Sequence, residues 1–491
     1  MNYESILKDL KPSEEEVTAV NKTTDKVIDF INKKCEEESI DAEAIAVGSV
    51  AKNTFLRGKS DIDIFIRFPI EMPMDELKET GLCLAYEVND ALKGDAREHY
   101  ASHPYLTCEI DGFEVDIVPC YAIEEGDSII SAVDRTILHT RYIQKHLSKE
   151  QEDEVLLLKG FMDSVGTYGS EFKTGGFAGY LCELLILKYG SFENTLKAAQ
   201  NWRFNTVIDL ENYGTADDFK KDPLACIDPT DQNRNVGAAL RIERFVDFIV
   251  ASRNFLDIFD DNDLSDDEKE IKVAQFFKPL KKEHLFNKSN EEIADYIIES
   301  FDDRDTQTLV IKFHIPDMSA DALHPQLLKT IKSICEKIDA EEFSVFKYDY
   351  WTDEEEYVIF TIELNVFKQG KYYIHKGPKV WPKKPCDNFK KKWGDALYPL
   401  DDFMVLTRER DFQTAEDFLK DVLVNRTHII KVGKSIKDAI SNHDILEIDE
   451  FLNDLNSQFD YDISDKTGEE LAFDYLNSLD DFLNPGQYLK R

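Results

Sequence analysis

No run of apolar residues in this chain approaches the roughly eighteen that a membrane-spanning helix needs. The best stretch, FAGYLCELLIL from Phe177, is short and interrupted by Glu183. The first residues, MNYESILKDLKPSEEE, lack the basic-then-apolar order of a secretory leader. A soluble, cytoplasmic protein with no membrane partner is therefore expected. Paired cysteines are also missing. The eight cysteines are scattered without a CxxC spacing, which argues against zinc and fits free thiols in a reducing compartment. Positive charge is scarce, with 59 Lys and Arg against 98 Asp and Glu and a formal net charge of −39. Taken alone, that balance argues against a nucleic-acid partner, because phosphate binding needs a positive surface. Net charge, however, governs solubility and long-range steering, whereas binding depends on the local patch. Where the lysines gather therefore matters more than their sum.

What is present supports a large globular protein. With 491 residues, 42 % of them hydrophobic, about two to four domains are expected. Residues 13–38 read as an amphipathic helix opened by Ser13 with Glu16 three positions on, a capping-box pattern. AEAIAVGS and DIDIFIRF read as strands, with a short helical piece after Ser49 between them. Residues 75–93 read as a helix, and YLTCEI and FEVDIVPC as a strand pair turned at Asp111–Gly112. From Ser131 the pattern turns helical. The run DIFDDNDLSDDEKE at 257–270, eight acids against one lysine, reads as a solvated boundary. Beyond it, strand-like pieces (TLVIKFHI, EYVIFTIELNVF) alternate with helical ones (HPQLLKTIKSICEKI, TAEDFLKDVLV). The fold class expected is α+β and multidomain.

The stretch VGSVAKNTFLRGKSDIDIFIRF, Val47–Phe68, carries the chemistry. On a strand, residues two apart share a face, so Asp61 and Asp63 point together while Ile62 and Ile64 point into a core. Two carboxylates held that close repel unless a cation lies between them, and hard oxygen ligands favour Mg²⁺. Asp116, set among apolar residues in FEVDIVP, is placed to complete the set from a neighbouring strand. Three carboxylates can hold two metal ions for in-line nucleotidyl transfer. Upstream, the Gly48–Ser49 turn leads from strand to helix, where backbone N–H groups and the Ser49 hydroxyl can cradle a triphosphate. The ordered set, strand–Gly-Ser–helix–strand-DxD with a later strand Asp, points to a polymerase-beta-like nucleotidyltransferase.

The blocks VGSVAKNTFLRGKSDIDIFIRFP, HPYLTCEIDGFEVDIVPCY, SAVDRTILHTRYI, LLKGFMDSVGTYGSEFKTGGFAGYLCELLI and DPTDQNRNVGAAL together resemble the archaeal (class I) CCA-adding enzymes. The likeness is densest over residues 40–245 and continues through FHIPDMSADALHPQL, GPKVWP and RTHIIKVGKSI. It implies a nucleotidyltransferase head over 1–150, a helical neck over 151–258, and an α+β body and tail over 271–491 that binds tRNA. It also implies untemplated addition of C, C and A to the tRNA 3′ end from CTP and ATP. Asp61, Asp63 and Asp116 would then be catalytic ligands of two Mg²⁺ ions. Gly48 and Ser49 would hold the triphosphate, and His139, Lys159 and Tyr168 would contact the nucleotide. Arg234 would help present a hydrogen-bonding edge to the base, and His103 would lie near the primer end. The competing local readings are a structural histidine at 139, a solvated helix lysine at 159, a packing tyrosine at 168, and an Arg234 paired within the Asp228–Asp231 turn. Two positions depart from the family. Its arginine three residues after the serine is Lys52 here, which keeps the charge but loses the bidentate fork, and its aromatic residue after the serine is Val50. A homodimer is a further family-based expectation.

The lysines do gather. From Lys368 to Trp393 the chain carries nine lysines and one acid, Asp387, with Tyr372, Tyr373, Trp381 and Trp393 interleaved. Basic groups bind phosphate and aromatics stack on exposed bases, so Lys376, Lys379, Trp381, Lys383 and Lys384 are the expected contacts to the tRNA acceptor stem and 3′ end. The competing functions are a poly(A) polymerase or oligoadenylate synthetase, which share the GS and DxD elements, and a relative that binds RNA without catalysis.

Overall fold

Two helices open the chain, α1 (Glu4–Leu10) and α2 (Glu14–Glu38). Ser13 starts the second, its hydroxyl accepting the Glu16 backbone N–H at 3.1 Å, while Val20, Val27 and Ile31 recur at helical spacing and are buried. The computed structural model describes residues 3–100, 104–124, 129–131, 133–280, 282–316, 318–459 and 467–487. Its chain divides into two units, Met1–Lys281 and Lys282–Gln487.

In the first unit, β1 (Glu43–Val47), α3 (Gly48–Ala51), β2 (Ile62–Phe68), α4 (Met74–Leu92), β3 (Asp95–Tyr100), β4 (Pro104–Ile110) and β5 (Phe113–Tyr121) follow in order. The strands form one sheet in the order β1-β2-β5-β4-β3, with β2 and β5 parallel and the other pairs antiparallel. Alternation along β2 decides the layers. Ile62, Ile64 and Ile66 are buried against α2 and α4, each worth about 1.5–3 kcal/mol of burial. On the opposite face Val47, Phe65 and Val118 pack against Ile137. That residue belongs to α5 (Arg135–His146). The β3 strand, DAREHY, is a charged edge strand with no apolar period, and nothing in its composition announced it.

The unit continues through α6 (Lys149–Ser164), α7 (Gly179–Tyr189), α8 (Phe192–Ala199), β6 (Thr206–Ile208), β7 (Leu224–Asp228), β8 (Asp231–Asn235), α9 (Ile242–Asp260) and α10 (Asp266–Gln275). Phe161, Phe192, Phe248 and Phe255 meet in one aromatic core. β7 and β8 form a hairpin turned on Asp228, whose Oδ1 accepts from Thr230 N at 2.9 Å and Thr230 Oγ1 at 2.8 Å. The acidic run at 257–270 ends one helix and opens the next, with Ser265 and Glu268 forming a capping box.

The second unit runs α11 (Asn290–Asp302), β9 (Gln307–His314), α12 (Ala320–Ala340), β10 (Ser344–Thr352), β11 (Tyr357–Val366), β12 (Tyr372–Lys379), α13 (Lys383–Trp393), β13 (Tyr398–Leu400), β14 (Phe403–Glu409), α14 (Ala415–Val424), β15 (His443–Glu447), α15 (Ile448–Asn453), α16 (Leu455–Gln458) and α17 (Gly468–Leu483). A four-stranded antiparallel sheet, β10-β11-β9-β15, has α12 and α14 on one face and α11, α15 and α17 on the other. A three-stranded sheet, β12-β14-β13, carries α13. The helix lies against it through His375, which stacks on Phe389 at 5.9 Å and meets Trp393 at 5.3 Å. The α+β class expected of this chain is the one observed, and no helix among the described residues is long and apolar enough to cross a membrane.

Candidate active site

Register across the first sheet builds the site. Val47 pairs with Asp63, Asp63 with Asp116, Asp116 with Thr107 and Thr107 with Arg97. Paired residues project to one face, so two carboxylates 53 positions apart in the chain stand side by side. Thr107 Oγ1 donates to Asp116 Oδ1, and its hydroxyl fixes that carboxyl. Asp61 lies just before β2 begins at Ile62 and is exposed, yet its charge bears on both others.

The row is electrostatically uncomfortable. Burial first, then Asp116 and Asp61, push the Asp63 carboxyl from an ordinary 3.8 to about 7, against a smaller pull from Lys52. Burial also raises Asp116, with Asp61 adding to it, while the Thr107 hydrogen bond and His99 oppose the rise. A divalent cation would remove this repulsion, and carboxylate oxygens are its preferred donors. Among the described residues no set of three or more His, Cys, Asp and Glu side chains stands ready to hold a metal. The residues fit a cation through the Asp63–Asp116 pair, with Asp61 at the exposed end of the strand.

Gly48 must be glycine here. Its φ is +72°, and a Cβ on it would come 1.9 Å from Asp63 Oδ2. The carboxylate rests on the first turn of α3, which also holds half-buried Ser49. Gly48 N donates to Thr140 Oγ1 at 3.3 Å, tying that turn to α5.

Lys52 and Lys159 are both buried, and one residue that sequence reasoning passed over holds them. Glu183 Oε2 lies 2.7 Å from Lys52 Nζ, and Oε1 lies 3.6 Å from Lys159 Nζ. The signal for Glu183 was the single acid breaking an otherwise apolar helix. Lys159 is thus not the solvated helix lysine that its neighbours allowed. Tyr168 is half-buried, and burial pushes its phenol well above the usual range.

A second acid, Asp228, ties His139 to Arg234. Its Oδ2 is 2.8 Å from His139 Nε2 and accepts Arg234 Nη1 at 2.8 Å. The His139 ring stacks on Tyr180 at 4.0 Å. Burial pulls the imidazole below its usual pKa although Asp228 pulls the other way. Asp228 is buried too, and its carboxyl is held well below the carboxylate range: His139 and the Thr230 hydrogen bonds outweigh burial, which alone would raise it. Arg234 does pair within its own turn, and the same side chain lines a cavity of about 460 Å³ with His139, Tyr180, Arg135, Asp231 and Ala178. The local pairing expected for Arg234 is therefore present, and it leaves the side chain on the wall of that cavity.

His103 lies outside the described residues. The lysine segment forms β12 and α13 in the second unit. Lys383, Lys384 and Trp381 are exposed, the last to 76 %. Lys376 sits 3.8 Å over the Phe403 ring, and Lys379 pairs with Asp402 at 2.8 Å. Tyr373 and Trp393 are engaged internally by Arg408, so the outward aromatics are Tyr372 and Trp381.

Comparison with known proteins identifies the family. Residues 28–139 match the nucleotidyltransferase domain, 153–262 the second domain of tRNA nucleotidyltransferase, and 304–447 the C-terminal domain of the CCA-adding enzyme. The CCA-adding enzyme of Methanothermobacter thermautotrophicus is 41 % identical over 490 residues, 100 % of this chain and 99 % of that one. That of Methanocaldococcus jannaschii is 36 % identical over 452 residues, 90 % and 94 % of the two chains. A solved structure of Cid1, an RNA terminal uridylyl transferase, aligns with a TM-score of 0.45 at 14 % identity, over 56 % of this chain and 97 % of its own. With three domain models in succession and relatives alike from end to end, this chain belongs to the archaeal family of CCA-adding enzymes, which are tRNA nucleotidyltransferases.

Proposed function

We propose that Asp63 and Asp116, joined by Asp61, are the catalytic carboxylates with which this enzyme adds C, C and A to the 3′ end of tRNA from CTP and ATP. The observation that carries the assignment is the Asp63–Asp116 register pair, seated on a glycine that cannot be replaced without displacing it. The tRNA 3′-hydroxyl attacks the nucleotide α-phosphate and pyrophosphate leaves. Bound at the carboxylates, two Mg²⁺ ions would lower the pKa of that hydroxyl and neutralise the triphosphate and leaving group. The chain's own residues position the reactants. The α3 turn with Gly48 and Ser49 receives phosphate oxygens, and Lys52, Lys159 and Tyr168 line the triphosphate. His139 and Arg234, both braced on Asp228, face the base. Holding the reactants in this fixed electrostatic frame supplies most of the acceleration.

In this reading residues 1–150 form the catalytic head, 151–258 the neck and 271–491 the tRNA-binding body and tail. Lys376, Lys379, Lys383, Lys384 and Trp381 contact the acceptor stem. An A-form stem is recognised through shape, phosphate and 2′-hydroxyl groups, which suits an enzyme that accepts every tRNA. His103 near the primer end, a homodimer and a cytoplasmic location complete the proposal.

The test is to offer the purified protein Mg²⁺, CTP, ATP and a tRNA transcript lacking its CCA, and to sequence the products. Two Cs and one A followed by a stop is the expected result. A long A tail would move the assignment to a poly(A) polymerase, and no extension would overturn it.

A further inference from the structure

The Lys52–Glu183–Lys159 cluster carries a consequence for how the triphosphate is held. Glu183 is fully buried on α7. A carboxylate so placed is protonated unless cations and hydrogen bonds hold its charge. Here they do. Lys52 lies 2.7 Å from Oε2, Thr54 Oγ1 donates to Oε1 at 2.6 Å, and Lys159 stands 3.6 Å from Oε1. Lys159 also donates to the Thr54 carbonyl at 2.7 Å and to Thr54 Oγ1 at 3.3 Å. Lys52 and Thr54 follow α3, Lys159 is on α6 and Glu183 on α7, so three chain segments converge on one carboxylate.

Two ammonium groups against one carboxylate leave one positive charge in excess where little water reaches. A buried surplus charge is costly until an opposite charge arrives. The surplus is also well placed. A Cβ on Gly179, at the start of α7, would lie 3.2 Å from Tyr168 Oη and 3.5 Å from Lys159 Nζ. The preceding residue, Ala178, lines the cavity of His139 and Arg234. On the other side, the Lys52 charge bears on Asp63. The cluster thus spans from the carboxylate pair to the base cavity, the span a nucleotide's phosphates would cross.

We propose that Glu183 is a positioning residue for the nucleotide triphosphate: it anchors and aims the Lys52 and Lys159 side chains, and it reduces their surplus to a single positive charge. This inference rests on the functional reading above. Burial pulls the Lys159 ammonium below its usual pKa, with Glu183 as the leading opposing attraction. The Glu183 carboxyl stays below the usual range because the two lysines outweigh its burial. Without the carboxylate, Lys52 and Lys159 would lose the shared anion that fixes their ammonium groups in place, and the phosphates would lose aimed cations.

The experiment is Glu183→Gln in the full-length protein, with two readouts. One is calorimetric binding of tripolyphosphate with Mg²⁺, and the other is kcat and KM for CTP and ATP on tRNA lacking CCA. The Kd for tripolyphosphate and both KM values should rise together by about tenfold, the worth of one charge-assisted contact, with kcat changed less than about threefold. A merely structural role would lower kcat through loss of active molecules and leave the affinities alone. A folded Glu183→Gln protein that binds tripolyphosphate as tightly as wild type, or more tightly, overturns the inference. If Glu183→Gln does not fold, Thr54→Val, which removes only the hydroxyl bridging Glu183 and Lys159, should weaken tripolyphosphate by about threefold, and no weakening overturns it. Failure of the wild type to extend the tRNA would overturn the functional reading. Extension by wild type with unaltered tripolyphosphate binding by Glu183→Gln would overturn this inference alone.

Discussion

Replacing Asp63 by Asn is expected to stabilise the metal-free protein while abolishing its chemistry. The Asp63 carboxyl sits at about 7 instead of 3.8, driven first by burial and then by Asp116 and Asp61. A carboxyl whose folded pKa is raised binds its proton more tightly in the folded state than in the unfolded state. Below the unfolded value both states are protonated and nothing is lost. Between about 4 and 7 the unfolded chain ionises first, so stability falls as pH rises, and above the folded value the loss is complete. At about 1.4 kcal/mol for each pH unit separating the two states, the charge costs up to about 4 kcal/mol. Asn removes the titration and the repulsion together. The assay is urea unfolding of both proteins with chelator present at pH 4, 6 and 8. The advantage of Asp63→Asn should be small at pH 4 and grow to several kcal/mol at pH 8. Adding Mg²⁺ should raise the wild type through binding to the folded state and move the variant much less. A difference that does not grow with pH, or a variant less stable at pH 8, would refute the account of the carboxylate row.

Gly48→Ala should reduce nucleotide incorporation by at least about a hundredfold, because its Cβ would meet Asp63 Oδ2 at 1.9 Å and its φ is unfavourable for alanine, costing about 1–2 kcal/mol; single-turnover kinetics and thermal unfolding check both parts. Asp228→Asn keeps the shape but removes the charge that orients His139 and Arg234. It should lower kcat/KM for CTP and ATP by about 10–100-fold, corresponding to roughly 1.5–3 kcal/mol for a charged hydrogen bond, and should narrow the preference over UTP in competition assays. Replacing Lys383 and Lys384 together by Ala should weaken tRNA binding, lower the slope of log K against log salt by about 1.5, and leave kcat at saturating tRNA unchanged; fluorescence titration at several salt concentrations measures it.

Much of the framework around the candidate site was legible along the chain because its signals are local. The Ser13 cap, the period-2 run of Ile62, Ile64 and Ile66, and the Gly48–Ser49 turn each follow from the conformational preferences of adjacent residues, and each takes the expected place. The lysine-rich segment stood out because it opposed the sign of the whole chain. What escaped was whatever depended on distant partners. β3 and the short β6–β8 strands carry no clear apolar period and hold their form by pairing. Which aromatics of the basic segment face outward followed from Arg408 and His375 docking on Tyr373 and Trp393.

Alternation in β2 determined by itself that Asp63 would leave the core face, since side chains two apart on a strand share a direction. That Asp116 is its neighbour depended on parallel register between strands separated by a helix and two further strands, and a slip of one residue would have turned that carboxylate to the opposite face. Glu183 and Asp228 were, along the chain, one acid in an apolar helix and one in a turn. Folding made Glu183 the shared anion of lysines from two other segments and brought His139 of α5 onto Asp228 beside the Arg234 of its own hairpin, because a buried carboxylate persists only where partners gather around it.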